Sequence, residues 1–288
     1  MKKGLVIGSM KASLAAGVLA LAPMVHAATV YADQVVAETT FNWSTGGDGV
    51  YHTGDDVNNQ WGQIEQLDSG TAAITADFPQ NGNGSLRLAS NGGASSKGGV
   101  AYYPPGLTGF GPLSSITAAS FEYKRDSASA NPAPVMRLFL FNPGTDTHVA
   151  TLVWTSGLNG VTDAATDAAW QTADVLGGTV IQLKSGGPFY NQSMTFAAAK
   201  QAAELQGLIV RAVEVGFGRG GWNGDFVSGA DTVLLTGSAA SVSANFEATR
   251  PPPPEGVASV PTLSEWGMVV TGLLLAGAAA ARVRRRQG

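Results

Sequence analysis

Two apolar runs, Val135 to Phe141 and His148 to Thr155, flank the segment Asn142-Pro143-Gly144-Thr145-Asp146. That connector is built from turn residues: proline presets φ, glycine reaches positive φ, and Asn and Asp bond nearby backbone. A β-hairpin is the economical reading. Both arms are apolar at successive positions rather than alternate ones, so both faces must be covered. Strands of this kind belong at the centre of a sheet inside a layered β-protein.

Further strand signals recur at short intervals. Ser85 to Leu88 follows the turn Asn81-Gly82-Asn83-Gly84, and Val100 to Tyr103 is another brief run. Ser120-Phe121-Glu122-Tyr123-Lys124 alternates, with Phe121 and Tyr123 on one face. Val180 to Leu183 is shorter. Leu208 to Phe217 sets Ile209, Val213, Val215 and Phe217 against Ala212, Glu214 and Gly216, with Arg211 intruding on the first face. Asp231 to Thr236 reads as the last strand. One helix interrupts the series: Ser193 caps it, Phe196 to Leu205 propagates it, and Gly207 stops it. With 38 glycines, 14 prolines and 13% charged residues, a strand-and-loop chain is expected. There is no cysteine, so stability must come from the core, without disulfides or thiolate metal sites. The predicted fold is all-β: an antiparallel two-sheet sandwich over residues 28–237 with one short helix. Its expected core holds Phe121, Tyr123, Leu138, Leu140, Val149, Val153, Val213, Val215, Val233 and Leu235.

Both chain ends carry topological signals. Lys2, Lys3 and Lys11 precede an apolar core, Ala12 to Ala22, and Pro23 breaks it before Val25-His26-Ala27. This is the pattern of a signal peptide, residues 1–27, cut after Ala27 or, as the alternative, after Ala28. At the other end, Val260-Pro261-Thr262-Leu263-Ser264-Glu265-Trp266-Gly267 leads into an apolar run, Met268 to Ala281. Arg282, Arg284, Arg285 and Arg286 close the chain. The run falls short of the ~20 residues of an untilted spanning helix. Trp266 at one headgroup boundary and the arginines at the other extend its usable length, with the arginines cytoplasmic. Between domain and tail, residues 238–259 are rich in Ser, Ala and Pro, and Pro251 to Pro254 read as a polyproline II spacer.

The stretch Val260 to Gly288 resembles an IPTL-CTERM sorting signal, a relative of the PEP-CTERM signals that exosortases process in Gram-negative bacteria. Pro261 to Gly267 match the motif, and Val260 stands where isoleucine is usual. Read with the leader that signal peptidase removes, the resemblance implies export, transient arrest in the inner membrane, cleavage by an exosortase-like membrane protease, and a cell-surface or extracellular destination.

Between Ala28 and Arg250 there are 19 acidic and 10 basic residues. That balance argues against a nucleic-acid partner. The sequence holds no Gly-x-Ser-x-Gly elbow and no phosphate loop opening a helix. His52 and His148 share no zinc-like spacing. The paired aspartates, Asp55 with Asp56 and Asp163 with Asp167, read as turn residues. The Gly/Trp loop Gly218 to Asp225 and the strand Asp231-Thr232-Val233-Leu234-Leu235 loosely resemble the jelly-roll modules of secreted bacterial carbohydrate-binding proteins. That resemblance implies a jelly-roll-like sandwich, Trp222 as a candidate ligand-binding residue, and a structural calcium held by Glu38 and Asp231. Asp48, Asp55 and Asp56 form a second candidate metal site. Trp43, Tyr51, Trp61, Trp170 and Tyr190 join Trp222 as aromatics open to sugar stacking or to core packing. Two functions stand: a non-enzymatic surface or matrix protein, and a secreted carbohydrate-binding module or glycoside-active enzyme.

Overall fold

The computed structural model describes residues 27–37, 44–46, 50–52, 59–92, 96–105, 108–126, 134–145, 147–161, 166–218, 225–252, 271 and 282. The chain divides into two compact units, Met1–Thr249 and Arg250–Gly288. In the first unit the early strands are β1 Ala28–Tyr31, β2 Ser44–Gly46, β3 Val50–His52, β4 Trp61–Leu67 and β5 Thr71–Thr75. Then come β6 Ser85–Asn91, β7 Lys97–Tyr102, β8 Ala118–Arg125, β9 Val135–Phe141, β10 His148–Trp154, β11 Gln171–Asp174, β12 Thr179–Gln182 and β13 Ser193–Thr195. The helix α1, Phe196–Gln201, precedes β14 Ile209–Phe217, β15 Asp225–Thr236 and β16 Ser241–Glu247.

Two seven-stranded sheets pack face to face. The first joins β1, β16, β15, β6, β5, β8 and β11; the second runs β13-β12-β10-β9-β14-β7-β4. Among the described residues β2 and β3 pair only with each other. The expected hairpin is β9 and β10, in the middle of the second sheet. All seven residues of β9 are buried, which is why that arm is apolar throughout: Met136, Leu138 and Leu140 face the core, and Val135, Arg137, Phe139 and Phe141 point the other way. The core between the sheets gathers Leu86, Leu88 and Phe121 from one side and Val100, Leu138, Val213 and Val215 from the other. The all-β two-sheet sandwich with one short helix is therefore the observed architecture.

Several details differ from expectation. Val149 only packs against the core, and Val153 joins a small cluster with Val135 and Ile181 on the opposite face. A register shift between His148 and Ala150 turns Ala150, Leu152 and Trp154 inward instead. A second shift, between Val210 and Ala212, explains the intrusion of Arg211: Val210 enters the core, and the arginine sits over the Phe141 ring. Ser193 does not cap the helix, because Ser193–Thr195 is extended against β12. Thr195 is the cap, its hydroxyl accepting from Ala198 N at 3.1 Å, and α1 ends at Gln201 rather than Leu205.

The C-terminal boundary of the domain also moves. Asp231 to Thr236 is the second half of β15, and it is not the last strand. The segment expected to begin a linker at residue 238 forms β16, flanked by β15 and β1. Its Val242, Ala244 and Phe246 are buried at alternate positions, a period-2 signal hidden in Ser/Ala-rich composition. β1 pairs with β16 in parallel, so the sandwich is not wholly antiparallel. Pro251 and Pro252 are exposed; Pro253 and Pro254 lie outside the described residues. Of the tail, Thr271 and Arg282 are described, each helical and exposed. Among the described residues no helix is long and apolar enough to cross a membrane.

Candidate functional site

The outer face of the second sheet carries a groove of about 570 Å³. Strand register builds its floor. Val153 of β10, Arg137 of β9 and Glu214 of β14 form one cross-strand row, and Thr151, Phe139 and Ala212 form the next. Arg137 donates from Nη1 to Glu214 Oε1 and from Nη2 to the carbonyl of Gly218. The two side chains are 7% and 0% exposed. Gly99 and Gly216 pair across β7 and β14, and a Cβ added to either would lie 2.5 or 2.6 Å from Glu214 Oε1. Two glycines thus leave the space in which this carboxylate lies.

A second ion pair, Lys97 with Glu65, closes one side. It depends on a bulge in β4: register shifts between Ile64 and Leu67, and Glu65 takes φ 53°. Burial, and then the Arg137 charge, pull the Lys97 ammonium down to about 8, while Glu214 opposes the shift. His148 Nε2 lies 2.9 Å from Thr151 Oγ1 and 3.0 Å from the Ala150 carbonyl, with its ring against Phe139 and Phe141. Burial and the nearby Lys184 charge push its pKa down to about 4 against the bond to Ala150. At neutral pH this histidine is uncharged.

The remaining wall is the β12–β13 connection, and it is organised from below. The buried Gln182 side chain donates to the carbonyls of Lys184 and Pro188 and accepts from Lys184 N. Two non-glycine residues, Phe189 and Asn191, are held at φ 57° and 58°. Strain of this sort persists only where the surroundings over-determine it. The loop presents Lys184, Ser185, Asn191 and Tyr190 to the groove, and Tyr190 is 52% exposed.

A separate polar cluster covers the outer face of the first sheet at the β15 bulge. Asp231 is fully buried; its Oδ1 accepts from Phe246 N at 2.8 Å and its Oδ2 accepts no hydrogen bond. Burial raises its pKa to about 6 and Glu247 adds to it; the Phe246 N–H that donates to it opposes this, as do the N–H groups of Thr232 and Asn81, which fall short of hydrogen-bond geometry. Asn245 Oδ1 is likewise buried without a partner. Glu247 accepts from Asn83 N and from Asn245 Nδ2, and Glu122 Oε2 accepts from Gln80, Asn81 and Thr232. Among the described residues no group of three or more His, Cys, Asp or Glu side chains is placed to hold a metal.

The other sequence candidates distribute as follows. Trp61 lies in the core, edge-on to Phe246. Trp170 reaches over Gly229. Asp167 is tied to Arg125 through both carboxylate oxygens, a structural role. Ala28 opens β1. Glu38, Trp43, Asp48, Asp55, Asp56, Asp163, Trp222, the motif Val260 to Gly267 and Arg284, Arg285 and Arg286 lie outside the described residues; Tyr51 and His52 are described only as backbone of β3. Sequence reasoning missed Arg137, Lys97, Glu65 and Lys184. A usable signal was present for the first: Arg137 is the only charge in the β9 run, as Glu214 and Arg211 are in β14.

The IPTL-CTERM motif family matches residues 258–285. No curated protein matches the chain. Among solved structures, a family 11 carbohydrate-binding module from Clostridium thermocellum in complex with a β-1,3-1,4-mixed-linked tetrasaccharide aligns at 14% identity and TM-score 0.35, covering 62% of this chain and 88% of its own. A family 11 module of a cellulosomal cellulase of the same organism aligns at 14% and 0.35, covering 66% and 91%. A carbohydrate-binding module specific for non-crystalline cellulose aligns at 12% identity and 0.27, covering 58% and 80%.

Proposed function

We propose that this chain is an exported, non-catalytic cell-surface or matrix protein whose sandwich binds a polysaccharide in the groove on the second sheet. The matched C-terminal sorting motif points to export. The observation carrying the binding reading is the wall loop, where a strained backbone fixed by Gln182 holds the exposed ring of Tyr190 beside polar side chains. An amphipathic ring fixed at low entropy cost beside converging donors and acceptors suits a polyhydroxylated ligand. The non-catalytic reading is supported by Glu65, the carboxylate lining the groove, and Glu214, buried beneath it, each held by a cation. A glycoside hydrolase needs one carboxyl to give up a proton and another open to sugar or water. Titration of the purified exported protein against a polysaccharide panel tests this. Saturable binding that Tyr190→Ala weakens, with no product released, is the expected result; no binding to any glycan sinks it, and turnover moves the protein to the enzyme alternative.

Maturation in this reading takes two cuts. Signal peptidase cleaves after Ala27, which leaves all four β1–β16 pairings intact; cleavage after Ala28 removes the Ala28–Ala244 pair. The exosortase-like protease cleaves near Pro261 to Gly267, with Arg282 to Arg286 cytoplasmic until then. Terminal mass spectrometry decides, and mature protein that still carries Trp266 to Gly288 means a permanent anchor.

We also propose that the structural calcium sits at the β15 bulge, with Asp231 and Asn245 among its ligands. The fit rests on two buried oxygens without hydrogen bonds, Asp231 Oδ2 and Asn245 Oδ1, of the hard type that calcium takes in sets of six to eight. Bound calcium would supply charge compensation for the buried carboxylate. Thermal melts in calcium and in chelator, for wild type and Asp231→Ala, test it: equal wild-type midpoints refute the site.

A further inference from the structure

We infer that the groove selects an acidic glycan, one bearing uronate carboxylates, and that Lys184 receives the carboxylate. This rests on the polysaccharide-binding reading and narrows it to a ligand class. The sandwich is acidic, with 19 acidic against 10 basic residues between Ala28 and Arg250. Among the described residues three of those ten bases, Lys97, Arg137 and Lys184, line this groove, against a single lining carboxylate, Glu65. Such a reversal of sign concentrates field lines in the cleft. Arg137 is neutralised from beneath by Glu214, and Lys97 by Glu65. Lys184 is different. Among the described residues it pairs with no carboxylate, and its bonds are backbone ones, to Gln182 and Gly187. Its main chain is therefore fixed while its ammonium is left for a ligand. His148 contributes no charge at neutral pH, so the surplus is one positive charge beside Tyr190.

A neutral sugar has no use for that charge, whereas a uronate turns it into a charge-assisted hydrogen bond, about twice as strong as a neutral one. The test compares polygalacturonate and alginate with the same polymers after carboxyl reduction, by calorimetry on the purified exported protein. The acidic forms should bind about tenfold more tightly, with a preference that fades as salt rises. Lys184→Gln should lose the preference, so that it binds the acidic and the reduced polymers with equal affinity. Lys124→Gln, on the first sheet, should change nothing. Equal affinity for acidic and reduced forms, or a preference that survives Lys184→Gln, overturns the inference while leaving the groove reading in place. Binding of neutral glucans alone also overturns it. If neither acidic nor neutral glycans bind, the groove reading itself fails.

Discussion

Arg137 on β9 and Glu214 on β14 are partners both in sheet register and in charge, and the pair is buried in the middle of the second sheet. Such a pair need not stabilise the fold relative to apolar residues, yet breaking it is costly, because one charge is left without compensation. Arg137→Met should cost roughly 3–5 kcal/mol in chemical denaturation. Adding Glu214→Leu should recover much of that loss. A double variant no more stable than the single one would contradict this account.

Asp231 and His148 should give opposite pH dependences across nearly the same window. Asp231 is raised from 3.8 to about 6, so its contribution is full below pH 3.8 and is lost as pH climbs through 6. His148 is lowered from 6.5 to about 4, so its contribution is full above pH 6.5 and is lost as pH falls through 4. Each shift corresponds to roughly 3 kcal/mol at most. In chelator the wild-type melting midpoint should therefore be nearly flat between pH 4 and 6. Asp231→Asn should make it rise with pH, and His148→Gln should make it fall. Parallel profiles for the two variants would refute the assignment.

The position of β16 sets where the domain can be cut. A chain stopped after Gly237 loses the partner of both β1 and the end of β15, along with buried Val242, Ala244 and Phe246. Burying the valine and phenylalanine alone is worth roughly 1.5–3 kcal/mol each. Residues 28–249 should melt cooperatively as a monomer, and residues 28–237 should be unfolded or aggregated. A folded, monomeric 28–237 would disprove the boundary.

Val215 sits fully buried between Val100 and Met136, its register partners on β7 and β14's other neighbour, β9. Val215→Asp places an unpaired carboxylate there, at a cost of several kcal/mol. Far-UV circular dichroism should lose its sheet signal at ambient temperature, and a variant with a wild-type midpoint would place Val215 outside the core.

The sequence by itself determined the layered class and the positions of β6, β7, β8, β9, β10, β12, β14 and the second half of β15. Alternation in Ser120 to Lys124 and double-faced apolarity in Val135 to Phe141 are local consequences of side chains pointing to opposite faces every residue, and they need no partner to be read. Of the wall loop only Tyr190 was singled out in the sequence, as an aromatic open to sugar stacking or to core packing. The tertiary structure decided the rest, because it depends on register between distant segments. The shift between His148 and Ala150 chose which valines enter the core, and the bulge at Glu65 aimed a carboxylate at Lys97. Pairing of β9 with β14 set Arg137 against Glu214, 77 residues away. The parallel partnership of β1 with β16 turned a Ser/Ala-rich segment into a strand of the sandwich. No periodicity records such choices, since each is settled by which neighbour buries the most apolar surface and compensates a charge that would otherwise be buried alone.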